Sequence, residues 1–396
     1  MAPKGTPPNS HPSILDRDEE ATDPGLSPTV SNPGIVRPAS PATAPRMPDL
    51  GPLRRLMQDP AVTEIMVNDV REIVVEKDGR LLNTSMRFTS LDELNQLVRN
   101  IQDFTGRYVT PESPYMDVTL PDGSRVNIVS PPVTPQGPCL TIRRFPKRLT
   151  VDHLFAQGTL DQKMGYFLNA CVVGKRNILL CGGTGSGKTT FLNALAMYIP
   201  AQERIVTIED TPELMIQHKN SVKMQTKAAT PTAPGVTQRE LVANALRMRP
   251  DRLILGECRR GEALDMLQAM NTGHEGSLTT VHANSPRDAL ARLETLCLLD
   301  GAEIPLTAVR KQIASAIEVI VQLKRYRNGR RRVTEIVELT GLETENYTLQ
   351  EIFKFEPDPA APLNPDTGIF KCTGFVPKFI TDLKEQGIEI PEDFFI

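Results

Sequence analysis

Short apolar segments separated by turn residues run along the chain from residue 53 onward. Several of them flank Asp-Gly or Asn-Gly, dipeptides that favour tight hairpin turns. Three β-hairpins are therefore predicted: residues 73–76 with 80–82, 116–120 with 125–129, and 317–326 with 331–339. Residues 140–145 form one more apolar segment. Apolar residues at helical spacing after the capping pair Ser90 and Glu93 predict a helix among these strands.

In the second half of the chain, strand-like and helix-like segments alternate, as expected of a sheet that helices cover. Buried strands are predicted at residues 177–181, 204–208 and 252–255. Helices are predicted from Thr159 with Gln162, from Thr237 with Glu240 as far as Arg249, and from Ser285-Pro286 with Asp288. Residues 225–237, rich in Thr, Pro and Ala, are expected to form a mobile loop.

The composition divides the chain into three predicted parts. Residues 1–48 hold eleven of the 34 prolines, together with Ser, Thr, Ala and Gly, which predicts a disordered arm. A proline-rich docking segment is the alternative for this stretch. Residues 49–146 are predicted to form a small α+β domain and residues 147–396 a larger α/β domain, with a hinge at residues 146–152.

Residues 182–190 read Gly-Gly-Thr-Gly-Ser-Gly-Lys-Thr-Thr and fit the phosphate-binding pattern G-x-x-x-x-G-K-[ST]. An apolar strand before them and helical spacing after them argue against a chance match. Glycines let backbone N–H groups approach a phosphate, Lys188 brings a charge to it, and Thr189 offers a hydroxyl to Mg²⁺. We expect Lys188 to lie on a surface loop. The predicted nucleotide-binding residues of the loop are Gly183, Thr184, Gly185, Ser186, Gly187, Lys188, Thr189 and Thr190.

Hydrolysis of a nucleotide also needs a carboxylate that orients water and a metal ion between the phosphates. Glu257 follows a run of large apolar residues, and Glu209 with Asp210 ends another predicted strand. Both strand ends are expected at the sheet edge where such folds bind ligands. Glu257, Glu209 and Lys188 are therefore candidate catalytic residues, and Thr189, Glu209 and Glu257 are candidate metal ligands. Which glutamate is catalytic stays open, and a helix cap or solvated loop end is the alternative for each alone.

The segment 273–284 contains His274 and His282, two of the five histidines. An imidazole can donate a hydrogen bond to a phosphate oxygen, or respond to the nucleotide state of a neighbouring segment. Both are therefore candidate nucleotide-binding residues, although a histidine considered alone is more often structural. Their spacing, without nearby cysteines, does not indicate a metal site.

The overall composition restricts the partners that the chain is expected to have. A net charge of −3 argues against a broad polyanion-binding surface, so nucleic acid is not an expected partner. Six scattered cysteines without C-x-x-C pairs favour a reducing cytoplasm over a disulfide framework. The sequence has neither an apolar leader nor a run approaching about 20 apolar residues, so direct membrane insertion is not expected.

From about residue 50 onward the chain resembles the secretion ATPase superfamily of type II and type IV systems. Within it, the sequence is most similar to the CpaF/TadA branch, the motors of tight-adherence (Flp) pili. Arg260 departs from the pattern, because the family usually has glycine there. The resemblance rests on the phosphate loop, an Asp box at 208–210, a Walker B segment at 256–262, a His box at 273–284, and the stretches 244–251, 269–273 and 374–379.

The resemblance implies a RecA-like, ATP-hydrolysing C-terminal domain that carries a smaller N-terminal domain, with ATP and Mg²⁺ between them. It also implies a homo-hexamer in the cytoplasm, peripheral at the inner membrane, with pilus platform proteins of that membrane as partners. Arg125 and Arg143 resemble the arginines with which relatives clamp the γ-phosphate from the N-terminal domain. Solvation, or pairing with Asp117 and Asp122, is the alternative for these arginines.

The predicted function is ATP hydrolysis that drives the assembly of a type IV or Tad-type pilus, with retraction left open. A type IV secretion traffic ATPase, handling protein or DNA, is one alternative. A RecA-type DNA motor fits the phosphate loop, but the near-neutral charge does not favour it. A nucleotide-sensing scaffold without turnover is the alternative from another class, and the intact Lys188, Thr189, Glu209 and Glu257 count against it.

Overall fold

The computed structural model describes residues 47–77, 79–144, 149–229, 233–299, 303–361 and 366–396. The predicted arm at residues 1–48 lies outside these ranges, except for its last two residues. The predicted hinge and the predicted loop at 225–237 also include undescribed residues. These three predictions, and the domain boundary at residue 146, therefore stay predictions.

The first sheet is antiparallel and has six strands in the order β3-β2-β1-β6-β5-β4. Its N-terminal half consists of a 3₁₀ turn (Gly51–Leu53), α1 (Arg54–Gln58), β1 (Val62–Val67), β2 (Ile73–Lys77) and β3 (Arg80–Asn83). Its C-terminal half consists of α2 (Leu91–Thr105), β4 (Tyr115–Thr119), β5 (Arg125–Val129) and β6 (Cys139–Arg143). The two hairpins predicted here, β2–β3 and β4–β5, are confirmed.

Helix α2 supplies much of the core of this sheet. Its buried residues Leu94, Leu97, Val98 and Ile101 recur at helical spacing and join one hydrophobic cluster with the strands. The hydroxyl of Ser90 accepts a hydrogen bond from Glu93 N at 3.2 Å, as predicted. The Glu93 carboxylate, however, accepts from the backbone of Thr89 and not from that of Ser90. The cap is therefore present, but the reciprocal half of the capping box is displaced by one residue.

The second sheet has nine strands in the order β15-β14-β13-β12-β7-β11-β10-β8-β9. The six strands β12, β7, β11, β10, β8 and β9 pair in parallel. The remaining strands β13, β14 and β15 extend the sheet from β12 by antiparallel pairing. Its strands are β7 (Ile178–Gly182), β8 (Ile205–Glu209), β9 (Ser221–Gln225), β10 (Arg252–Leu255), β11 (Leu278–His282), β12 (Val319–Arg325), β13 (Arg331–Glu343), β14 (Asn346–Pro357) and β15 (Gly368–Cys372).

Helices accompany both faces of this sheet. They are α3 (Val151–Ala156), α4 (Gln162–Val173), α5 (Lys188–Ala196), α6 (Gln238–Ala245), α7 (Glu262–Asn271), α8 (Pro286–Leu298), α9 (Leu306–Ala316) and α10 (Ile380–Glu385). Two separate hydrophobic clusters form, one with α4, α5 and α10 and the other with α6 to α9. The predicted α/β fold class is therefore confirmed. Within the described residues, no helix is long and apolar enough to cross a membrane.

Two predicted helix limits were wrong. Helix α4 is capped by Asp161, whose carboxylate accepts from Met164 N at 2.8 Å, and not by Thr159. Helix α6 begins at its predicted capping box but ends at Ala245 instead of continuing to Arg249. The residue before a proline is disfavoured in the right-handed helical region, so the helix does not continue through Arg249, which has a φ of 52°.

Candidate active site

The phosphate loop connects the buried strand β7 to helix α5, as its sequence requires. Gly185 and Gly187 have φ values of 68° and 96°, a region that favours glycine. A Cβ at Gly182 would lie 2.5 Å from both Ser186 Oγ and the carbonyl oxygen of Leu323, so only glycine fits there. Ser186 Oγ is buried without a hydrogen-bond partner. This orphaned hydroxyl suits a phosphate oxygen as its missing partner.

The position of Lys188 corrects the expectation that it lies on a surface loop. The residue is only 7% exposed, because its side chain folds back under the loop. Its Nζ donates to the carbonyl oxygens of Gly182 at 3.0 Å and Gly183 at 3.1 Å. Burial lowers the pKa of Lys188, whereas the charge of Glu257 raises it. The ammonium group is thus held at the loop by backbone carbonyls before any phosphate is bound.

A chain of polar contacts leads from Lys188 to the carboxylates at the strand ends. His282 ends β11 beside Gly182, and its Nδ1 lies 3.2 Å from Lys188 Nζ. Its Nε2 lies 3.0 Å from Glu257 Oε1, and Arg259 contacts Glu257 Oε2 at 3.2 Å. Burial and the charge of Lys188 lower the pKa of His282. A neutral ring that accepts at Nδ1 and donates from Nε2 fits both neighbours.

Glu209 lies at the same edge of the sheet, but its carboxylate forms hydrogen bonds with a different segment of the chain. Its Oε1 accepts from the backbone N–H groups of Glu213 and Leu214, both at 2.8 Å. Gly256 packs so closely that a Cβ there would lie 3.0 Å from Glu209 Cγ. Burial raises the pKa of Glu209 to about 7, against the lowering effect of the two N–H donors. This carboxylate therefore fixes the segment after β8.

The raised pKa of Glu209 predicts a pH-dependent stability. The unfolded glutamate loses its proton near pH 4.5 and the folded one near pH 7, so wild-type stability falls as the pH rises through this interval. Without nucleotide, we expect Glu209→Gln to be more stable than wild type by about 1–3 kcal/mol at pH 8. The advantage should fall below about 1 kcal/mol at pH 5. Denaturant unfolding at both pH values measures the difference in free energy of unfolding between the variant and wild type. A difference that does not change with pH would contradict the raised pKa of Glu209.

The predicted arginines of the first sheet face the same segment from the other side. Arg125 Nη1 donates to Glu213 Oε1 at 3.0 Å, and Arg143 Nη1 lies 3.7 Å from the same oxygen. Arg143 Nε also lies 3.6 Å from Glu64 Oε1. Burial is the main cause of the lowered pKa of Lys188, and the charge of Arg143 adds to the lowering. Among the described residues, Asp117 and Asp122, the alternative partners, form no ion pair with either arginine.

A second contact between the sheets was not predicted from the sequence. Glu76 of β2 is buried and its Oε1 lies 2.7 Å from Arg325 Nη2 and 3.7 Å from Arg331 Nη2. Arg331 Nε in turn donates to the carbonyl oxygen of Gly185 in the phosphate loop at 3.0 Å. A cleft of about 510 Å³ opens beside these arginines and is lined by Gly79, Arg80, Leu81, Thr184, Arg325, Tyr326 and Arg327.

The structure does not bring His274 to the phosphate loop of its own chain. His274 precedes β11, whereas His282 ends it, so the two residues lie towards opposite ends of that strand. The assignment of His274 as a nucleotide-binding residue stays a prediction. Arg260, the residue that departs from the resembled pattern, does not have a positive φ, and its N–H donates to Glu262 Oε1 at 2.8 Å. The turn after β10 thus accepts a side chain at this position.

The oxygen groups at the sheet edge fit Mg²⁺ as a nucleotide-bound ion. Mg²⁺ usually keeps several waters and takes one or two protein oxygens together with substrate phosphates. Thr189 in the first turn of α5 and Glu257 at the end of β10 are groups of this kind. Within the described residues no cluster of three His, Cys, Asp or Glu side chains could hold a metal by itself.

A phosphate loop on a parallel sheet, with carboxylates at the neighbouring strand ends, defines a P-loop nucleotide-binding fold. The family model described as "Type II/IV secretion system protein" matches residues 46–350. This is more than half of the chain, so the protein belongs to the type II/IV secretion system family of secretion and pilus ATPases.

Individual relatives agree with this family. The protein Rv3659c of Mycobacterium tuberculosis is 36% identical over 301 residues, which cover 74% of this chain and 85% of that protein. The type IV secretion system protein VirB11 of Bartonella quintana is 32% identical over 327 residues, covering 72% and 91%. The crystal structure of the pilus retraction motor PilT with bound ADP has a TM-score of 0.51 at 21% identity, covering 81% and 86%. At that identity the likeness to PilT shows the fold alone.

Proposed function

We propose that the protein is a Mg²⁺-dependent ATPase that works as a hexameric motor and drives assembly of a Tad-type pilus through inner-membrane platform proteins. It would act from the cytoplasm, peripheral at that membrane. The single observation that carries the ATPase proposal is the continuous contact from Lys188 through His282 to Glu257. These contacts support one connected site in which Lys188 would meet the phosphates and Glu257 would orient water. The assignment to pili rests on the resemblance of the sequence motifs to those of the CpaF/TadA branch.

Different groups around the phosphate loop would contact different parts of ATP. Backbone N–H groups of the loop, the Ser186 hydroxyl and the N-terminus of α5 would surround the phosphates. Lys188 would exchange its carbonyl partners for phosphate oxygens. The adjoining cleft, bounded by the hairpin β2–β3 and by Tyr326, has room for the base and ribose.

When bound, Mg²⁺ would supply charge neutralisation on the phosphate oxygens, held by Thr189 with Glu257 or Glu209 nearby. Glu257 would orient the attacking water and accept its proton. His282 donates to Glu257 Oε1 and so fixes the direction of that carboxylate. Glu209, committed to two backbone N–H groups, would support the site without contacting the water.

Arg125 and Arg143 would bind the γ-phosphate from the first sheet. Guanidinium groups suit this task because they bind phosphate oxygens through paired N–H donors. Both arginines already converge on one carboxylate oxygen, that of Glu213. They therefore lie where a second anion could attract them across the same gap.

We expect Arg125→Ala or Arg143→Ala to lower ATP turnover at least about tenfold, which is about 1.4 kcal/mol of barrier. The affinity for ADP should change little, because ADP lacks the γ-phosphate. Phosphate release and calorimetric binding of ADP and a non-hydrolysable ATP analogue measure these effects. Arg107→Ala is the matched control, since Arg107 donates to a backbone carbonyl within the first sheet. Equal losses of ADP and analogue binding would place the γ-phosphate clamp elsewhere.

A second candidate function is that of a type IV secretion traffic ATPase, which the identity with VirB11 over most of that protein favours. Deleting the gene in its own host separates the two candidates. Loss of surface pili with unchanged export of protein and DNA supports the pilus motor. Loss of export with normal pili would support the traffic ATPase. A purified protein that binds ATP without releasing phosphate would instead support the nucleotide-sensing scaffold.

A further inference from the structure

Glu213 lies on the segment after β8, between the two sheets. Its carboxylate oxygen Oε1 accepts from Arg125 Nη1 at 3.0 Å and lies 3.7 Å from Arg143 Nη1. The Glu213 side chain is only 18% exposed, and that of Arg125 is 33% exposed. An ion pair that is partly screened from water is worth more than one on the open surface. The two arginines proposed to read the γ-phosphate are therefore engaged by a carboxylate in this structure.

The backbone of Glu213 is fastened to the phosphate-loop side of the molecule. Its N–H donates to Glu209 Oε1 at 2.8 Å, and its carbonyl oxygen accepts from Asn193 Nδ2 at 3.2 Å. Asn193 is a buried residue of α5, the helix that begins at the phosphate loop. The same Asn193 accepts from Met215 N at 2.7 Å. The position of the Glu213 carboxylate is thus set by the elements that would hold the nucleotide.

The nearby acids of the first sheet do not offer the arginines an equal partner. Asp117 accepts from Asn127 Nδ2, and Asp122 accepts from the backbone and hydroxyl of Ser124. Glu64 lies 3.6 Å from Arg143 but on the neighbouring strand of the same sheet. Glu213 is the carboxylate that joins both arginines to the other sheet. A phosphate uses the same paired N–H groups as a carboxylate and carries more charge, so the two anions compete for them.

We infer that Glu213 is a positioning residue that holds Arg125 and Arg143 while the γ-phosphate is absent and releases them to ATP. The inference rests on the proposed γ-phosphate clamp. Glu213 would keep the first sheet seated against the phosphate-loop side in an empty or ADP-bound subunit. When ATP binds, its γ-phosphate would replace the Glu213 carboxylate as the partner of the two arginines. Breaking these ion pairs would lower the affinity for ATP but not the affinity for ADP. The residue would therefore set how strongly the site distinguishes ATP from ADP.

Glu213→Gln tests this role, because the amide keeps the side-chain size and both backbone hydrogen bonds while removing the charge. We expect the full-length variant to bind a non-hydrolysable ATP analogue about fivefold more tightly, as expected for loss of one partly exposed competing ion pair. ADP affinity should stay within about twofold. Calorimetry with both nucleotides measures the two constants. In a background with both Arg125→Ala and Arg143→Ala, the same substitution should have little effect on analogue affinity.

Two controls separate the possible outcomes. Glu294→Gln removes a similar carboxylate, paired with Arg310 at 2.9 Å on α8 and α9, and should change neither affinity. Glu213→Ala should shift analogue affinity in the same direction as Glu213→Gln. This agreement would show that the effect comes from loss of the carboxylate and not from new contacts of the glutamine amide. Weaker binding of both nucleotides by the Glu213 variants would mean structural support and overturn the inference.

Failure of the clamp itself gives a different pattern of results. If Arg125→Ala and Arg143→Ala both keep wild-type analogue affinity, the γ-phosphate clamp is wrong and the role of Glu213 falls with it. If the arginine variants lose analogue affinity but Glu213→Gln does not gain it, the clamp stands and only the competition by Glu213 is overturned.

Discussion

Replacing Lys188 by alanine is expected to reduce ATP hydrolysis at least about a hundredfold, equivalent to about 2.7 kcal/mol of barrier. The loss follows because Lys188 Nζ is the cation placed at the loop carbonyls of Gly182 and Gly183, next to the expected phosphates. Charge that develops on phosphate oxygens in the transition state would then lack its nearest compensation. Steady-state phosphate release at saturating ATP measures the effect.

The fold should survive this substitution even though Lys188 is buried. Removing a buried ammonium ends its desolvation cost, which offsets the loss of two hydrogen bonds to carbonyl groups that water can then reach. We therefore expect the midpoint of thermal unfolding without nucleotide to stay within about 3 °C of wild type. Lys311→Ala, on the exposed side of α9, is the matched control for loss of a lysine. Hydrolysis at the wild-type rate would remove the phosphate loop from the mechanism.

Short sequence patterns correctly predicted those strands, turns and helix caps that depend only on neighbouring residues. The strand predicted at 252–255 coincides with β10, since a short run of large apolar residues is typical of a strand covered on both faces. The hairpin β12–β13 forms around Asn328-Gly329, where Gly329 takes a φ of 86°. Thr237 and Glu240 form the full capping box at the start of α6. Each of these features depends on residues within a few positions of one another.

Five strands were not predicted from the sequence: β1, β9, β11, β14 and β15. For β1 and β9 the cause is not local. Strand β1 lies between β2 and β6 and carries Glu64, which is paired across the sheet with Arg143. An acidic residue in the middle of a segment weakens the apolar alternation that marks a strand. Strand β9 lies at the sheet edge, and its five residues are only partly buried. Both strands are defined by neighbours that a local reading of the sequence does not contain.

The part of the candidate site that could be predicted is the part formed where the carboxyl ends of the parallel strands meet at one edge of the sheet. His282 and the phosphate loop come together because β11 pairs with β7, with His282 opposite Gly182. The contact of Arg125 with Glu213 spans 88 positions, and that of Arg325 with Glu76 spans 249. No spacing rule links residues so far apart, so the role of Glu213 and the contact of Arg331 with the loop emerged only from the structure.

Replacing Glu257 by glutamine is expected to lower turnover at least about a hundredfold while ATP-analogue affinity stays within about threefold. The carboxylate lies 3.0 Å from His282 Nε2, within the contacts that lead to Lys188. A glutamine oxygen can accept the same hydrogen bond from His282, so binding should persist. The amide cannot accept a proton from water, and its NH₂ group faces Arg259, so the step that breaks the phosphate bond should slow.

Glu209→Gln is the matched comparison, because it makes the same chemical change at the neighbouring strand end. The Glu209 carboxylate accepts two backbone N–H groups, and an amide oxygen can accept both of them. We therefore expect Glu209→Gln to lower turnover less than about tenfold, well above the turnover of Glu257→Gln. Phosphate release at saturating ATP, alongside calorimetric binding of the analogue, orders the two variants. The reverse order would make Glu209 the base that activates water and leave Glu257 as the residue that positions His282 and Arg259.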